Sequence, residues 1–340
     1  MSASCLVKSC FSSSDSSSCA SAAMRSTSAT VSVVGIHAIL SSESSKIQVP
    51  RSTFQLGTNL ELGAWTLELG TWLRPAAVAG TWYPASADRL ARDVDGYVAR
   101  ADADDVPAPL AIVAPHAGLK YSGPVAAFAY RAVSARPYSA ALLVGPSHFV
   151  RFNGVSIWPR GAWQTPFGPV QVDEKLAQAI RAVSPEVVEN REAHGREHSL
   201  EMQLPFIAYL LPGVPIVPMV MGHQSRETAF GLGDAMARAV IGNTVLLVAS
   251  SDLSHYQDAR TAAKMDSVVL QHVEQLDADG LMQALEEEPH HACGGGPMVA
   301  VMHAARQSGA TNARVLKYGD SGDVSGDKSA VVGYMAAAIW

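Results

Sequence analysis

The sequence predicts a single-domain α/β sandwich with a central, mostly parallel or mixed sheet flanked by helices. Three observations carry that prediction. First, short apolar runs recur along the chain, among them Ala111-Ile112-Val113, Ala141-Leu142-Leu143-Val144 and Val245-Leu246-Leu247-Val248. Runs that are apolar at every position, bounded by turn residues, have the signature of strands buried on both faces. Second, the segments between them carry helical spacing and capping residues, so strands alternate with helices and no internal repeat is evident. Third, these runs lead into turns bearing His116, His148, and Asp252 with His255. In open α/β sheets the ligand site lies beyond the carboxyl ends of the strands.

The elements follow in order. Order is expected from about Arg74-Pro75, just before Ala79-Gly80-Thr81-Trp82-Tyr83-Pro84. Ser86 starts a helix with Leu90, Val94 and Val98 on one face. After the strand that delivers His116, Gly123-Pro124 opens a helix to about residue 133, since proline suits a first turn. Residues 154–172 read as hairpins on an edge or lid, with Val155, Ile157, Trp163, Phe167 and Val170 set among prolines and glycines. Asp173 caps the next helix. A helix from about His198 to 211 follows, then a strand over 214–221 that Pro215 and Pro218 mark as irregular or edge-like. Ser225 caps a helix to about 240, and helices near 259–276 and 279–287 come after the strand at 244–249. Pro297 sits in the first turn of a helix over 298–306, and strands near 314–318 and 329–335 close the fold.

Composition narrows the function. The chain has 340 residues, 48% hydrophobic and 16% charged, with a net charge of −6. That supports one large core or two small ones. With no basic block, nothing points to nucleic acid or an acidic membrane surface. No apolar stretch reaches bilayer length, so no membrane partner is expected.

Cys5, Cys10 and Cys19 lie in a serine-rich head, leaving Cys293 alone in the rest of the chain. A lone cysteine cannot form an internal disulfide, and the folded part reads as built for a reducing, cytoplasmic compartment. The head, residues 1–72, is expected to be disordered or non-native, because its low-complexity serine runs bury too little apolar surface to offset ordering entropy. An upstream start codon, with the protein proper beginning near Leu73, is one alternative, and organellar targeting by the head is another. The folded domain is then residues 73–340.

His116 and His148 are the leading metal-ligand candidates, each held at a strand end. Cys293 precedes a glycine-rich helix start, where backbone N–H groups favour the thiolate. Two imidazoles and a thiolate would leave an open coordination position. His198 and Glu201 are three residues apart, which on a helix puts them on one face as a ligand pair, an orienter or a proton shuttle. Glu197-His198 alternatively marks only a helix start. Asp252 and His255 are also three apart, so His255 reads as a general acid or base with Asp252 as its partner, or as a further ligand. His290 and His291 are flanking possibilities. His194, His223, His272 and His303 read as structural or exposed.

From about Arg74 to the C-terminus the chain resembles the MEMO family, whose bacterial and archaeal members are labelled AmmeMemoRadiSam system protein B. The resemblance rests on Ala79-Gly80-Thr81-Trp82-Tyr83, Pro115-His116-Ala117-Gly118-Leu119-Lys120-Tyr121-Ser122-Gly123 and Gly145-Pro146-Ser147-His148. It continues in Glu197-His198-Ser199-Leu200-Glu201-Met202-Gln203-Leu204-Pro205, Ser250-Ser251-Asp252-Leu253-Ser254-His255-Tyr256 and Cys293-Gly294-Gly295-Gly296-Pro297.

The family fold is similar to that of class III extradiol dioxygenases, which hold Fe(II) with two histidines and a glutamate. The resemblance implies that His116 and His148 match those histidines, that Cys293 stands where the glutamate would be, and that His198 and His255 assist oxygen chemistry. A thiolate there is softer than a carboxylate and oxidisable, which shifts preference toward copper or zinc. Fe(II) is the first candidate cofactor, with Cu or Zn as the others. Expected partners are a small-molecule or peptide ligand, as an animal member's phosphotyrosine-peptide binding suggests, and a functional link to a radical SAM enzyme and an AMMECR-type protein. Three readings stay open: a dioxygenase-like redox enzyme, a non-catalytic peptide- or ligand-binding module in which Trp82 lines the cleft, and a metal-assisted hydrolase using Glu201 or His255 as base.

Overall fold

Ser86 caps the first helix, α1 (Ala87–Val98), by accepting from the amide of Arg89, and Leu90, Val94 and Val98 are its buried stripe. The fold comes from a computed structural model that describes residues 72–103, 105–134 and 136–340. Apart from Trp72, the head anticipated over residues 1–72 lies outside the described residues. Strand β1 (Leu73–Arg74) precedes α1, and β2 (Ala111–Ala114) follows it.

Helix α2 (Leu119–Val133) begins earlier than expected and takes Pro124 into its interior. The turn at Gly118 starts it, with the amides of Tyr121 and Ser122 bonding the Gly118 carbonyl, so the proline falls in the second turn rather than the first. Strand β3 (Ala140–Pro146) is followed by β4 (Val155–Ile157), then by a hairpin of β5 (Ala162–Thr165) and β6 (Gly168–Gln171). Asp173 caps α3 (Glu174–Val183) through the Leu176 amide. Short β7 (Val187–Val188) and α4 (Arg191–Gly195) lead to a single 3-10 turn, Glu201–Gln203, and α5 (Leu204–Leu210). His198 therefore precedes the helical segment instead of starting it.

Strand β8 (Ile216–Met221) leads to α6 (Arg226–Ala239), which Ser225 caps. Then come β9 (Val245–Ser250), β10 (His255–Gln257), α7 (Ala259–Glu274), α8 (Ala278–Glu287) and α9 (Gly295–Gln307). Strand β11 (Ala313–Asp320), α10 (Gly322–Ser325) and β12 (Val331–Ile339) end the chain.

The main sheet runs in the order β10-β12-β2-β9-β3-β8-β4-β7, with β11 pairing with β12. Its centre, β2-β9-β3-β8, is parallel, and β12 and β4 join it antiparallel. The sheet is thus mixed around a parallel core. Strand β8 is interior, not an edge, despite its prolines. Pro218 is tolerated because β4 ends at Ile157, opposite Met219. Beyond it Trp158 donates to the Pro218 carbonyl, and no returning amide is needed.

Alternation along the central strands divides the core between two layers. Ala111, Val113, Leu142, Val144, Val217, Met219, Leu247 and Ala249 face one side, with residues of α3, α6, α7, α8 and α9. Ile112, Ala114, Ala141, Leu143, Ile216, Val220, Leu246 and Val248 face the other, with residues of α1, α2, α5 and the β5–β6 hairpin. Each fully buried leucine in these strands contributes roughly 1.5–3 kcal/mol. Because β2, β9 and β3 are parallel neighbours, the turns after them open side by side at one edge, about 5 Å apart per strand. This register positions the site.

Candidate metal centre

His116 follows β2 by way of Pro115, His148 follows β3 by way of Ser147, and Asp252 and His255 follow β9. Cys293 arrives from across the sheet, just ahead of α9. Its amide bonds the Asp252 carbonyl at 3.2 Å, and the amide of Gly294 bonds Ser251 Oγ at 2.9 Å. Gly294 allows this approach: a Cβ there would meet the Ser250 carbonyl oxygen at 2.5 Å. The segment carrying His198 crosses the end of β3 equally closely. A Cβ on Gly145 would meet Ser199 Oγ at 2.9 Å, and Ser199 Oγ donates to the Pro146 carbonyl.

Three imidazoles converge. Ring nitrogens of His116, His148 and His198 all lie within 4.8 Å of one another. His148 and His198 stack at 4.5 Å between centroids, and Trp82 covers the His198 ring at 4.3 Å. Phe149 lies 5.8 Å from the same ring. The Cys293 sulfur is 3.2 Å from Nε2 of His116.

Hydrogen bonds behind the rings fix which nitrogen faces the centre. Ser250 Oγ donates its single proton to the Ser199 carbonyl at 2.6 Å and accepts from Gln203 Nε2 at 2.7 Å. The Gln203 amide is itself oriented, since its oxygen accepts from Tyr130. The contact of 3.0 Å between His116 Nδ1 and Ser250 Oγ must then be donated by the imidazole, because a hydroxyl has only one proton to give. His148 Nδ1 likewise donates to the Glu197 carboxylate at 2.8 Å. Both rings present the bare Nε2, the form that binds a metal. His255 Nδ1 donates to the Leu253 carbonyl at 2.8 Å, which leaves Nε2 as the ring nitrogen outside that bond.

Electrostatics keep His116 and His198 neutral. Burial pushes His116 down to about 3, aided by His148. Burial with His116 and His148 lowers His198 to about 4. Burial acts on Glu197 in the opposite direction, but hydrogen bonds from His148 and the Ser199 amide outweigh it and hold the carboxyl at about 2. Cys293 departs from expectation. Burial first, then the nearby Asp252 carboxylate, raise its thiol well above the usual range, overriding the helix N-terminus. A cation between sulfur and imidazole is what would reverse that balance. The donor set therefore fits a transition metal: neutral imidazoles with inward lone pairs and a thiol in contact with one of them.

The sequence matches the model of the family described as Memo-like protein over residues 74–338. The chain belongs to the Memo family. A MEMO1 family protein of Thermotoga petrophila is 36% identical over 280 residues, covering 78% of this chain and 99% of that protein. One from Ignicoccus hospitalis is 38% identical over 278 residues, covering 78% and 97%. A solved structure of an uncharacterized Escherichia coli K12 protein, JW3007, aligns with a TM-score of 0.46 at 17% identity, covering 66% of this chain and 98% of that one.

Within this Memo chain two of the anticipated catalytic carboxylates are occupied elsewhere. Glu201 is fully buried and accepts from Arg74 Nη1 at 2.5 Å, the Ala77 and Val78 amides, and Tyr83 Oη. Without a helix beginning at His198, residues 198 and 201 share no helix face. The carboxylate instead anchors the segment leading to Trp82. Asp252 interacts with His255 electrostatically rather than through a hydrogen bond. It accepts from the His116 amide at 2.7 Å and the Ala117 amide at 3.2 Å, fixing the turn that carries His116.

His290 turns to Glu288, His272 to Asp277 and His303 to Asp234. His194 is buried against Trp158 and Trp163. Sequence reasoning missed Ser250 and Gln203 and gave Glu197 no role beyond a helix start. Adjacency to His198 was the one available signal for Glu197.

Proposed function

We propose that this Memo-family chain is a metal-dependent redox protein whose His116, His148 and Cys293 hold a non-haem Fe(II) ion, with copper or zinc as the other candidates. The carrying observation is the matched pair of tautomers: Ser250 and Glu197 each take an Nδ1 proton, leaving Nε2 of both rings unprotonated and that of His116 beside the Cys293 sulfur. A bound Fe(II) ion would supply an electron source and an open position for dioxygen or substrate.

The chain's own groups divide the remaining work. His255, fixed through Leu253, keeps Nε2 free to take a proton from a ligand. His198 Nδ1 is 3.6 Å from Glu197, beyond hydrogen-bond length, so its ring is held by stacking and is free to hold or pass a proton. Trp82 and Phe149 shield that ring from water. The cytoplasm and a functional link to a radical SAM enzyme and an AMMECR-type protein complete the proposed setting.

Metal analysis of anaerobically purified protein tests the ligand set, followed by oxygen uptake with small aromatic diols and thiols. His255→Ala should retain metal and lose roughly 10²–10⁴-fold in turnover. Loss of metal in that variant would reassign His255 as a ligand. A second reading, a peptide- or ligand-binding module, draws support from the exposure of Trp82 at 38% and Phe149 at 49% beside the histidines. It prevails if no metal and substrate pair consumes oxygen while ligand binding persists.

A further inference from the structure

Glu197 is 1% exposed, and four N–H donors converge on it. Oε2 accepts from the His148 amide at 2.6 Å. Oε1 accepts from His148 Nδ1 at 2.8 Å and from the His198 and Ser199 amides at 2.9 Å each. Every polar contact to this side chain is a donor. It grips His148 by both backbone and ring, 49 residues away in sequence, and His198 by backbone alone.

We infer that Glu197 is the positioning residue that selects the metal-binding tautomer of His148 while setting His198 beside it. The inference rests on the reading of His148 as a ligand. Its physical basis is that only a carboxylate offers two acceptor oxygens and no donor. An amide of the same shape brings an NH₂ group. Placed at the Oε2 position, that group opposes the His148 amide; placed at Oε1, it opposes three donors. The first arrangement costs one hydrogen bond and the second three, so the NH₂ group settles at Oε2 and the remaining oxygen still accepts the His148 Nδ1 proton. Removing the side chain altogether leaves Nδ1 without that acceptor and frees the ring to carry its proton on Nε2, which removes the lone pair a metal needs. Glu197→Ala therefore disables the ligand, whereas Glu197→Gln keeps the Nδ1 acceptor and loses only the hold on the His148 backbone amide.

The experiment records long-range proton–nitrogen correlations of the histidine rings in the metal-free full chain, at neutral to mildly alkaline pH, and titrates each protein with Co(II). In the wild type, His148 should carry its proton on Nδ1. In Glu197→Ala it should shift toward the Nε2–H form, and Co(II) affinity should fall roughly 10–100-fold, the usual cost of losing such a partner. Glu197→Gln should keep the Nδ1–H form. His116, held by Ser250 and not by Glu197, serves as the folding control and should keep its Nδ1 proton throughout. The inference is overturned if His148 stays Nδ1–H in Glu197→Ala with unchanged affinity, or if Ala and Gln act alike. Should Glu197→Ala fail to fold, an Nε2–H signal for His148 in the wild type overturns it alone. A wild type that binds no Co(II) but shows the tautomer switch would sink the metal reading and leave the role of Glu197 standing.

Discussion

The Cys293 sulfur lies 3.2 Å from Nε2 of His116, whose Nδ1 already gives its proton to Ser250. The sulfur is the group left to donate, to this nitrogen or to the Asp252 carbonyl at 3.6 Å, so the pair is a neutral thiol beside a neutral imidazole. A metal ion bound between them takes the place of that proton. Metal binding at neutral pH is thus expected to release about one proton per ion. Calorimetric titration in buffers of different ionisation enthalpy measures it directly. Cys293→Ala should abolish the release, and a wild type that binds metal without releasing a proton would remove the sulfur from the ligand set.

Two donor sets compete for one centre, since His116 is close both to the His148–His198 pair and to the Cys293 sulfur. Co(II)-loaded protein should decide between them. A thiolate ligand gives an intense sulfur-to-cobalt charge-transfer band, which Cys293→Ser should eliminate. His198→Ala should keep the band and the stoichiometry. The opposite pattern, with metal lost in His198→Ala and the spectrum unmoved by Cys293→Ser, would establish the three-histidine set.

Arg74 and Glu201 form an ion pair at 2.5 Å, with side-chain exposures of 2% and 0%. Arg74 also donates to the His194 and Glu197 carbonyls and lies 4.0 Å over the Trp163 ring. Arg74→Ala leaves a buried carboxylate without its cation, and a loss of about 3–5 kcal/mol is expected. Denaturant unfolding of the full chain measures it. A change below about 1 kcal/mol would mean that the pair behaves like a surface salt bridge.

These relationships separate what the sequence could reveal from what it could not. His116, His148 and Asp252 were legible because each follows an apolar strand, and parallel neighbours put their carboxyl-terminal turns together. The β8 strand was misjudged as edge-like because Pro218 signals a missing donor without saying which neighbour has ended beside it. The hydrogen-bond partners of Glu201 and Asp252 were not legible for a related reason. Spacing of three suggests partnership only within a helix, and neither pair lies in one. Glu197, Ser250 and Gln203 act through bonds that close only when β3, β9 and the 197–203 segment meet. A sequence shows the donors and acceptors but not which of them become neighbours.

Trp72 belongs with the folded unit, one residue ahead of the start expected near Leu73. Its carbonyl accepts from the Ala162 amide at 3.1 Å, pairing it with the small β1–β5–β6 sheet. Its ring meets Trp158 edge-on at 5.7 Å and carries Arg160 at 4.3 Å and Arg191 at 4.7 Å. A chain beginning at Trp72 should keep the melting temperature and metal content of the full chain, because it retains the strand pairing and ring contacts of Trp72. A chain beginning at Leu73 gives up the edge contact and both cation–π contacts, together worth about 1–3 kcal/mol. It should unfold at lower denaturant while binding metal with unchanged stoichiometry, since Trp72 touches none of the ligands. Equal stability of the two shortened chains would show that the Trp72 ring contributes nothing to the fold. A large drop in both would place part of the stabilising contact upstream of residue 72.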